Sequence, residues 1–366
     1  TFFLFHHAEL FDEAQWPEGI TIMGMGLLEG EKMSSSKGHV VLPGKAIEDY
    51  GADTVRFFLL NSAEPWQDYD WRADQVEGVE DQLRRFWNRA QELIDDEAAA
   101  AAEGVDPDGD LEHIDRWLLS KLQTTISDVT AALDNAETRT ASQAAFYGFE
   151  EDLKWYRRRA DLNRDGAQWT LRHVLETRLR LLAPFVPFLT NELHEQLTGT
   201  PAEDAPWPEV DEGWESPRTE TEERQIERLA DDVQDILTVT EQNPETIRVY
   251  VAADWKREVF ETVREVGTDV GQVMGEVMQN PDLRERGDAV NDLVQDLVEL
   301  VRGVDDETLD AMAEIDEQST YETAVDFLER EHDAAVAVYA EDGDGIDDPG
   351  GKASSAVPFR PAIHIE

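Results

Sequence analysis

The middle of the chain repeats apolar residues at helical spacing. Apolar positions three and four residues apart occur at Leu118, Leu122, Ile126, Val129 and Leu133, and again at Leu171, Val174, Leu175, Leu179 and Leu182. Stripes of this kind are typical of amphipathic helices that bury one face. They predict a helical bundle, with helices over 73–97, 112–133, 139–161 and 167–197. Pro184 and Pro187 are expected to kink the last of these helices.

The first part of the chain has shorter patterns. Thr21–Met23 is typical of a short strand, and the glycines over 24–30 indicate turns. A helix is predicted over 46–60, preceded by Pro43 and Gly44. Asp53 and Arg56, three positions apart on this helix, are expected to form a structural ion pair.

The last part of the chain mixes helices with strands. It follows an acidic, proline-containing stretch over 201–218 that is predicted to be a linker. Helices are predicted over 219–241 and from 255 to about 328. Alternating or short apolar runs predict strands at 246–251, 335–339 and 362–365. The chain as a whole is therefore predicted to be mainly α, with a helical bundle followed by a small α+β domain.

One polar stretch near the start has a composition suited to chemistry. Lys32 and Lys37 frame three serines, and Gly38 follows, a combination that favours a loop. A triphosphate needs cationic donors, hydroxyls and closely approaching backbone N–H groups, and this stretch has all three. From residue types alone, a soluble linker is an equal alternative. A P-loop is excluded, because Gly38 and Gly44 enclose five residues instead of four and Ala46 lacks the hydroxyl that binds magnesium.

The same stretch carries a resemblance to a known family. Lys32–Ser36 resembles the KMSKS signature of class I aminoacyl-tRNA synthetases. The flanks resemble the archaeal and eukaryotic-type leucyl-tRNA synthetase at Thr1–His7, Trp16–Ile20, Leu27–Gly30 and Tyr50–Leu60. The resemblance implies the C-terminal portion of such a synthetase, including a remnant of the class I nucleotide-binding fold.

The resemblance also implies roles for residues of the loop. In that family the loop closes over ATP during leucine activation, and two lysines stabilise the charge that develops as pyrophosphate leaves. Lys32 takes the first position; Ser35 occupies the second, and Lys37 is the candidate to replace the missing lysine. The implied catalytic residues are Lys32 and Lys37. The implied ATP-binding residues are Lys32, Met33, Ser34, Ser35, Ser36 and Lys37. ATP with Mg²⁺ is implied as a substrate, with no tightly bound cofactor.

The extent of the resemblance sets the expected organisation. The family's HIGH-type signature, most of its nucleotide fold and its editing domain are not found in this sequence. We therefore expect partnership with an N-terminal catalytic and editing part, and no catalysis by this piece alone. The predicted segments are the end of a catalytic domain over 1–44, a stem-contact segment over 45–72, an anticodon-binding type bundle over 73–200, the linker over 201–218 and a C-terminal tRNA-binding domain over 219–366. The alternatives are an isoleucyl, valyl or methionyl relative, or a non-catalytic tRNA-binding helical module.

Two places are candidates for contact with tRNA(Leu). The first is the densest basic cluster, Lys154–Arg159, from which Lys154, Trp155, Arg157 and Arg158 are candidates for phosphate and base contacts. An equal alternative is a helix face whose arginines pair with carboxylates and whose Trp155 lies in the core. The second comprises the last two residues, Ile365 and Glu366, for which a plain edge strand is the alternative.

Net charge changes how any RNA contact must work. The sequence has 82 acidic and 32 basic residues, for a formal charge of -50, which by itself argues against a nucleic-acid partner. Only seven of the basic residues are lysine, a pattern that favours a halophilic, haloarchaeal cytoplasm at molar salt. At ~1 M salt the Debye length is about 3 Å, so long-range repulsion from RNA is strongly screened. RNA affinity is then expected to depend on stacking, shape and a few arginines.

Some classes of site are excluded by the sequence. There is no cysteine, which excludes disulfides and thiolate metal sites. No apolar run approaches the roughly 20 residues that span a membrane, and no signal peptide is recognised, so a cytoplasmic location is expected. His6 and His7 lack metal-ligand spacing, and no metal site is predicted.

Overall fold

The computed structural model describes residues 12, 22–34, 38–96, 104–107, 109–241 and 243–366. The chain divides into two compact units that alternate along the sequence. Unit 1 comprises the described residues of Thr1–Val105, Leu122–Lys154 and Asn163–Asp211, and unit 2 those of Asp106–Lys121, Trp155–Leu162 and Glu212–Glu366. The predicted segments, by contrast, are contiguous along the sequence. They stay a prediction of domain organisation.

Unit 1 begins with a small three-stranded sheet. Its strands are β1 (Gly26–Leu28), β2 (Glu31–Lys32) and β3 (Tyr69–Trp71), in the order β2-β1-β3. β1 is antiparallel to β2 and parallel to β3.

The first strand starts later than predicted. Ile22 and Met23 are not in a strand, so the predicted strand at Thr21–Met23 is wrong for its described residues. A segment of the same chain that lies against Gly24 explains the shift. The N–H of Gly24 donates to the carbonyl of Pro65 at 2.7 Å, and a Cβ at Gly24 would overlap the Gln67 carbonyl. This close approach is open only to glycine.

The predicted helix over 46–60 is two helices. They are α1 (Pro43–Tyr50) and α2 (Ala52–Ser62), separated by Gly51 at a φ of 84°. Pro43 occupies the first turn of α1, where its missing N–H costs nothing.

Helices cover most of the described residues in each of the four stretches predicted for the bundle. After β3 come α3 (Ala73–Asp95), α4 (His113–Asp134), α5 (Thr138–Ser142), a π-helical segment (Gln143–Gly148), α6 (Phe149–Arg159), α7 (Asp165–Leu182) and α8 (Pro187–Thr198). The predicted kink at the prolines is a full break, because α7 ends at Leu182 and α8 begins at Pro187. Leu182 accepts backbone bonds from Phe185 and Val186 in the intervening turn.

Unit 2 combines a sheet with a set of helices. Its long first helix is α9 (Pro217–Thr240), capped by the Ser216 side chain, which accepts from the N–H of Thr219. The later helices are α10 (Asp254–Val266), α11 (Val270–Val277), α12 (Pro281–Glu285), α13 (Asp288–Val301), α14 (Asp306–Ala313), α15 (Glu317–Glu322) and α16 (Val325–His332). A buried apolar cluster centred on Phe260, Val263, Leu297 and Val298 joins several of them.

The strands of unit 2 were predicted almost residue for residue. They are β4 (Thr246–Val251), β5 (Ala335–Ala340) and β6 (Ala362–Ile365). The sheet order is β5-β4-β6, with β4 parallel to β5 and antiparallel to β6. β6, close to the end of the chain, is therefore an edge strand. The prediction of a mainly α chain with a small α+β part is confirmed.

Candidate functional site

Lys32 lies at the end of a tight hairpin. Glu29 and Gly30 form the turn between β1 and β2 with φ values of 52° and 82°. The Asp70 carboxylate on β3 accepts from the N–H of Gly30 at 2.8 Å and from the Nε of Arg72 at 2.8 Å. The hydrogen bond from Gly30 and the Arg72 guanidinium hold the pKa of Asp70 below its usual value. Asp70 thus fixes the turn that positions Lys32.

The register places Lys32 on the face of the sheet opposite Trp71. Leu27 is the partner of Lys32 on one side and of Asp70 on the other, so the three side chains share one face. The opposite face carries Trp71, which is buried and lies 5.2 Å from the Phe58 ring of α2. Lys32 is exposed, and none of the described carboxylates lies within ion-pair distance of it. No described carboxylate therefore competes with an anionic ligand for its ammonium group.

The base of the predicted loop is closed by backbone pairing. The N–H of Ser34 donates to the carbonyl of His39 at 2.7 Å, and the N–H of His39 donates to the carbonyl of Ser34 at 3.1 Å. The Nε2 of His39 donates to the Leu28 carbonyl at 2.9 Å, tying the loop to β1. Met33 and Ser34 are half-buried. The predicted site residues Ser35, Ser36 and Lys37 lie outside the described residues.

A cavity of about 720 Å³ lies beside the same sheet in unit 1. It is largely apolar, with a few polar groups. Its lining residues are Met23, Gly24, Gly26, Arg56, Leu59, Leu60, Ala63, Glu64, Pro65, Gln67, Tyr69, Ala136 and Thr138. Lys32 is not among them, so the structure does not place the predicted catalytic lysine in this cavity.

The predicted ion pair between Asp53 and Arg56 is replaced by two separate contacts. The Asp53 carboxylate accepts from the N–H of Leu189 at 2.7 Å, near the start of α8. Arg56 donates to the Pro184 carbonyl at 2.8 Å, in the turn before α8. Both residues therefore fasten α2 to the start of α8 and to the turn before it. Backbone groups in these places have no partner within a helix, so they are available to the two side chains.

In unit 2, the basic cluster is largely engaged within the protein. Trp155 is buried, and its Nε1 donates to Glu223 at 2.8 Å. Arg158 pairs with Glu331 at 2.7 Å, and its guanidinium lies 5.2 Å from the centre of the Trp155 ring. Arg159 donates to the Thr323 carbonyl at 2.8 Å. This arrangement matches the alternative in which the cluster is a structural helix face.

Two members of the cluster are placed differently. Lys154, in unit 1, is exposed, and Arg157 is half-buried. RNA contact by Lys154, Trp155, Arg157 and Arg158 stays a prediction, and the geometry supports it better for Lys154 than for the buried indole of Trp155.

The chain terminus is held in the sheet of unit 2. The N–H of Glu366 donates to the Thr246 carbonyl at 2.9 Å, and the N–H of Thr246 donates back to Glu366 at 3.0 Å. The Glu366 side chain pairs with Arg248 at 3.0 Å. Backbone groups alternate along an antiparallel strand, so those of Ile365 point to the open edge. Among the described residues, nothing pairs with the outer backbone edge of Ile365, whereas the Glu366 side chain is engaged.

Several residues that shape these regions could not be singled out from the sequence. Asp68 accepts from the N–H of Met25 at 2.7 Å, as Asp70 does from Gly30. In unit 2, Glu317 accepts from the N–H of Phe359 at 2.6 Å. The alternation of Asp68 and Asp70 within an aromatic stretch was the only available signal, since the partner of each carboxylate is more than 39 positions away.

The described residues form neither a metal-binding cluster nor a membrane-spanning helix. No group of three or more His, Asp or Glu side chains there is arranged to hold a metal ion. None of the described helices combines the length and the apolar character needed to cross a bilayer.

Comparison with known proteins identifies the family. The family model described as "tRNA synthetases class I (M)" matches residues 2–87, and the one described as "Anticodon-binding domain of tRNA ligase" matches residues 115–252. The leucine–tRNA ligase of Methanothermobacter thermautotrophicus is 36% identical over 373 residues, covering 100% of this chain and 38% of that protein. The Pyrococcus abyssi enzyme of the same name is 37% identical over 369 residues, covering 100% of this chain and 36% of that protein.

A solved structure is also similar. It is the ternary complex of Agrobacterium radiobacter LeuRS with tRNA and LeuAMS, with a TM-score of 0.45 and 19% identity, covering 72% of this chain and 29% of that chain. The chain spans between 36% and 38% of the length of the two archaeal relatives. The match to each relative covers 100% of this chain. The chain belongs to the leucine–tRNA ligase family.

Proposed function

We propose that this chain is the C-terminal part of a leucine–tRNA ligase, which activates leucine with ATP and Mg²⁺ and transfers it to tRNA(Leu). The observation that carries the proposal is the match of the whole chain to leucine–tRNA ligases. The N-terminal catalytic and editing part of the ligase would supply the leucine pocket and most of the nucleotide site.

In this proposal Lys32 acts in the activation step. Adenylate formation leaves pyrophosphate with growing negative charge, which a fixed cation stabilises more in the transition state than in the ground state. The Asp70-braced turn and the pairing of Ser34 with His39 hold β2 on both sides of Lys32. Lys37 is proposed as the second cation, in place of the lysine that Ser35 replaces. Met33, Ser34, Ser35 and Ser36 would complete the loop around the phosphates.

The rest of the chain would position tRNA(Leu). Lys154 and Arg157 are proposed to contact phosphates, with Trp155 and Arg158 mainly shaping that helix. At β6, the outward-facing backbone of Ile365 and the side-chain carboxylate of Glu366, which also pairs with Arg248, would meet exposed base edges, which carry both donors and acceptors. A halophilic cytoplasm would screen the repulsion between RNA and the acidic surface.

The activation step is tested in the intact ligase that contains this sequence. Lys32→Ala is expected to lower leucine-dependent ATP–pyrophosphate exchange by about 10²–10³-fold, the usual loss when one transition-state donor is removed. Lys37→Ala is expected to have a smaller effect. The stability of each variant, measured by urea unfolding, should stay close to that of the parent.

Lys45→Ala is the matched control. Lys45 is an exposed lysine on α1, outside the predicted loop, where it pairs with Asp49. The Lys45→Ala substitution should leave ATP–pyrophosphate exchange unchanged. Unchanged exchange in Lys32→Ala, or exchange catalysed by this chain alone, would contradict the proposal.

A further inference from the structure

The cavity of unit 1 opens beside exposed apolar side chains. It has a volume of about 720 Å³, and its lining includes Met23 and Leu59, which are 68% and 37% exposed. Ile22, next to Met23 in the sequence, is exposed as well. A single exposed apolar side chain is ordinary on a protein surface, but a group of them at a cavity is typical of a surface that another molecule covers. The cavity is therefore a candidate docking surface.

The lining of the cavity departs from the acidic character of the chain. More than one residue in five of the sequence is acidic, yet Glu64 is the one carboxylate among the described residues that line the cavity. Its two oxygens already accept from the N–H groups of Arg139 and Thr140. Acidic side chains are normally found where a surface faces water. Their scarcity here indicates a surface that another part of the protein covers.

The polar groups of the lining are mostly bound within unit 1. Arg56 donates to the Pro184 carbonyl at 2.8 Å, and the Gln67 side chain accepts from the N–H of Glu64 at 3.3 Å. Sites for small ligands combine apolar walls with a few polar groups that fix the orientation of the ligand. Few polar groups are left for that task in this cavity. The lining therefore fits an apolar protein segment better than a polar small molecule.

The similar proteins indicate which molecule supplies that segment. The family model for class I tRNA synthetases matches residues 2–87, which include all of the lining residues except Ala136 and Thr138. The chain spans between 36% and 38% of the length of the two archaeal relatives. The larger remainder of each relative lies outside the match. The cavity is thus built mainly by the region of the chain that resembles a catalytic domain, next to which the rest of that domain is expected.

The cavity also touches the sheet that carries Lys32. Gly26 and Tyr69 are register partners on β1 and β3, and both line the cavity. They lie on the face of the sheet that carries Trp71, opposite to the face of Lys32. A segment seated in the cavity would therefore support the sheet from behind and leave the face of Lys32 open to the nucleotide.

We propose that this cavity binds an apolar segment of the N-terminal catalytic part of the ligase. The inference rests on the proposed function, because that part is present only in an intact ligase. The docked segment fills the space beside α2 and the sheet, and it supports the strand pair from which Lys32 projects. Leu59 is then shielded from water in the intact ligase, and a charge at this position disturbs leucine activation.

Thiol labelling tests the shielding of Leu59. The sequence has no cysteine, so Leu59→Cys introduces a single thiol into this chain. Its rate of reaction with a water-soluble maleimide is measured in this chain by itself and in the intact ligase, and mass spectrometry identifies the modified peptide. We expect the reaction to be about tenfold slower or more in the intact ligase, because a thiol under a docked segment reacts only when that segment opens. Val239→Cys, at a position 84% exposed on α9, is the control and should react equally in both proteins.

A second variant tests the consequence for activation. Leu59→Asp is expected to lower leucine-dependent ATP–pyrophosphate exchange by the intact ligase about tenfold or more, because an unpaired charge is costly to bury under a docked segment. Leu59 is partly exposed in this chain, so the urea midpoint of this chain by itself should stay close to that of the parent. A large fall in that midpoint would show that Leu59 acts within the fold of unit 1, and it would contradict the docking.

Other results would assign the cavity to a different occupant and overturn the inference. Shielding in this chain alone that grows with its concentration would indicate a second copy, and shielding in the ligase that requires tRNA(Leu) would indicate RNA. Equal labelling of Leu59→Cys in both proteins would show that nothing docks. If exchange still depends on Lys32 in that case, the docking is wrong and the proposed function stands. If Leu59 is shielded but Lys32→Ala leaves exchange unchanged, the proposed role of Lys32 is wrong and the docking stands.

Discussion

Several carboxylates of this chain bind backbone N–H groups far away in the sequence. Asp70 holds the β1–β2 turn, Asp53 the start of α8 and Glu317 the turn before β6. Such contacts satisfy donors that secondary structure leaves unpaired, at turns and at helix starts. An acidic composition therefore serves folding here as well as hydration.

Glu64 is the clearest case at the residue scale. Its carboxylate accepts from the N–H groups of Arg139 and Thr140 at 3.2 and 2.9 Å, and from the Thr140 hydroxyl at 2.7 Å. These N–H groups belong to the first turn of α5, so Glu64 caps that helix from a distance.

We expect Glu64→Ala to lower the free energy of unfolding by about 1–3 kcal/mol, because partly buried donors at the start of α5 lose a charged acceptor. Urea unfolding at neutral pH measures this loss. Glu77→Ala, at an exposed position on α3, removes the same charge without a cap and should change stability by less than about 0.5 kcal/mol. Equal effects of the two substitutions would show that Glu64 acts only through net charge.

At the scale of elements, helices α4 and α9 are joined in unit 2 by a charged histidine. His113 lies 3.1 Å from both Glu222 and Glu223. Burial alone would lower the pKa of His113, but the two carboxylates outweigh it and raise this pKa to about 9. The imidazole is therefore positively charged at neutral pH and bridges two acids on one helix.

This bridge predicts a dependence of stability on pH. The folded-state pKa, about 9, lies above the unfolded value of about 6.5, so the stabilisation is complete below pH 6.5 and is lost as the pH rises through 9. The loss amounts to roughly 3 kcal/mol at most. Urea unfolding from pH 6.5 to pH 10 measures it. His113→Gln should be less stable at pH 7 and should show a flatter profile, and identical slopes for parent and variant would rule out the bridge as the cause.

At the scale of the whole molecule, the formal charge of -50 opposes compaction at low salt. The Debye length falls from about 10 Å at 0.1 M to about 3 Å at 1 M salt, so most of the repulsion between surface carboxylates is removed over this range.

We therefore expect KCl to raise the urea midpoint of unfolding steeply up to about 1 M and only weakly beyond it, where little repulsion is left to screen. Urea is the suitable denaturant because it is uncharged. A linear rise that continues far above 1 M would instead indicate preferential exclusion of salt from the surface. A midpoint independent of KCl would contradict the expected effect of net charge.

The sequence by itself determined most of the elements and the family. The strand at Thr246–Val251 and the helix periodicity of α4 depend on neighbours within a few positions, which the sequence shows directly. The resemblance of Lys32–Ser36 to a family signature was recognisable because that signature is a short run of particular residue types.

The tertiary structure alone decided which partners those elements found. The sequence did not reveal that Asp53 and Arg56 would bind a turn more than 120 positions away, that Trp155 would donate to Glu223, or that Glu317 would hold Phe359. It also did not show that Gly51 would divide one predicted helix into two. These outcomes depend on which segments meet in space, and side-chain spacing along the chain carries no information about that.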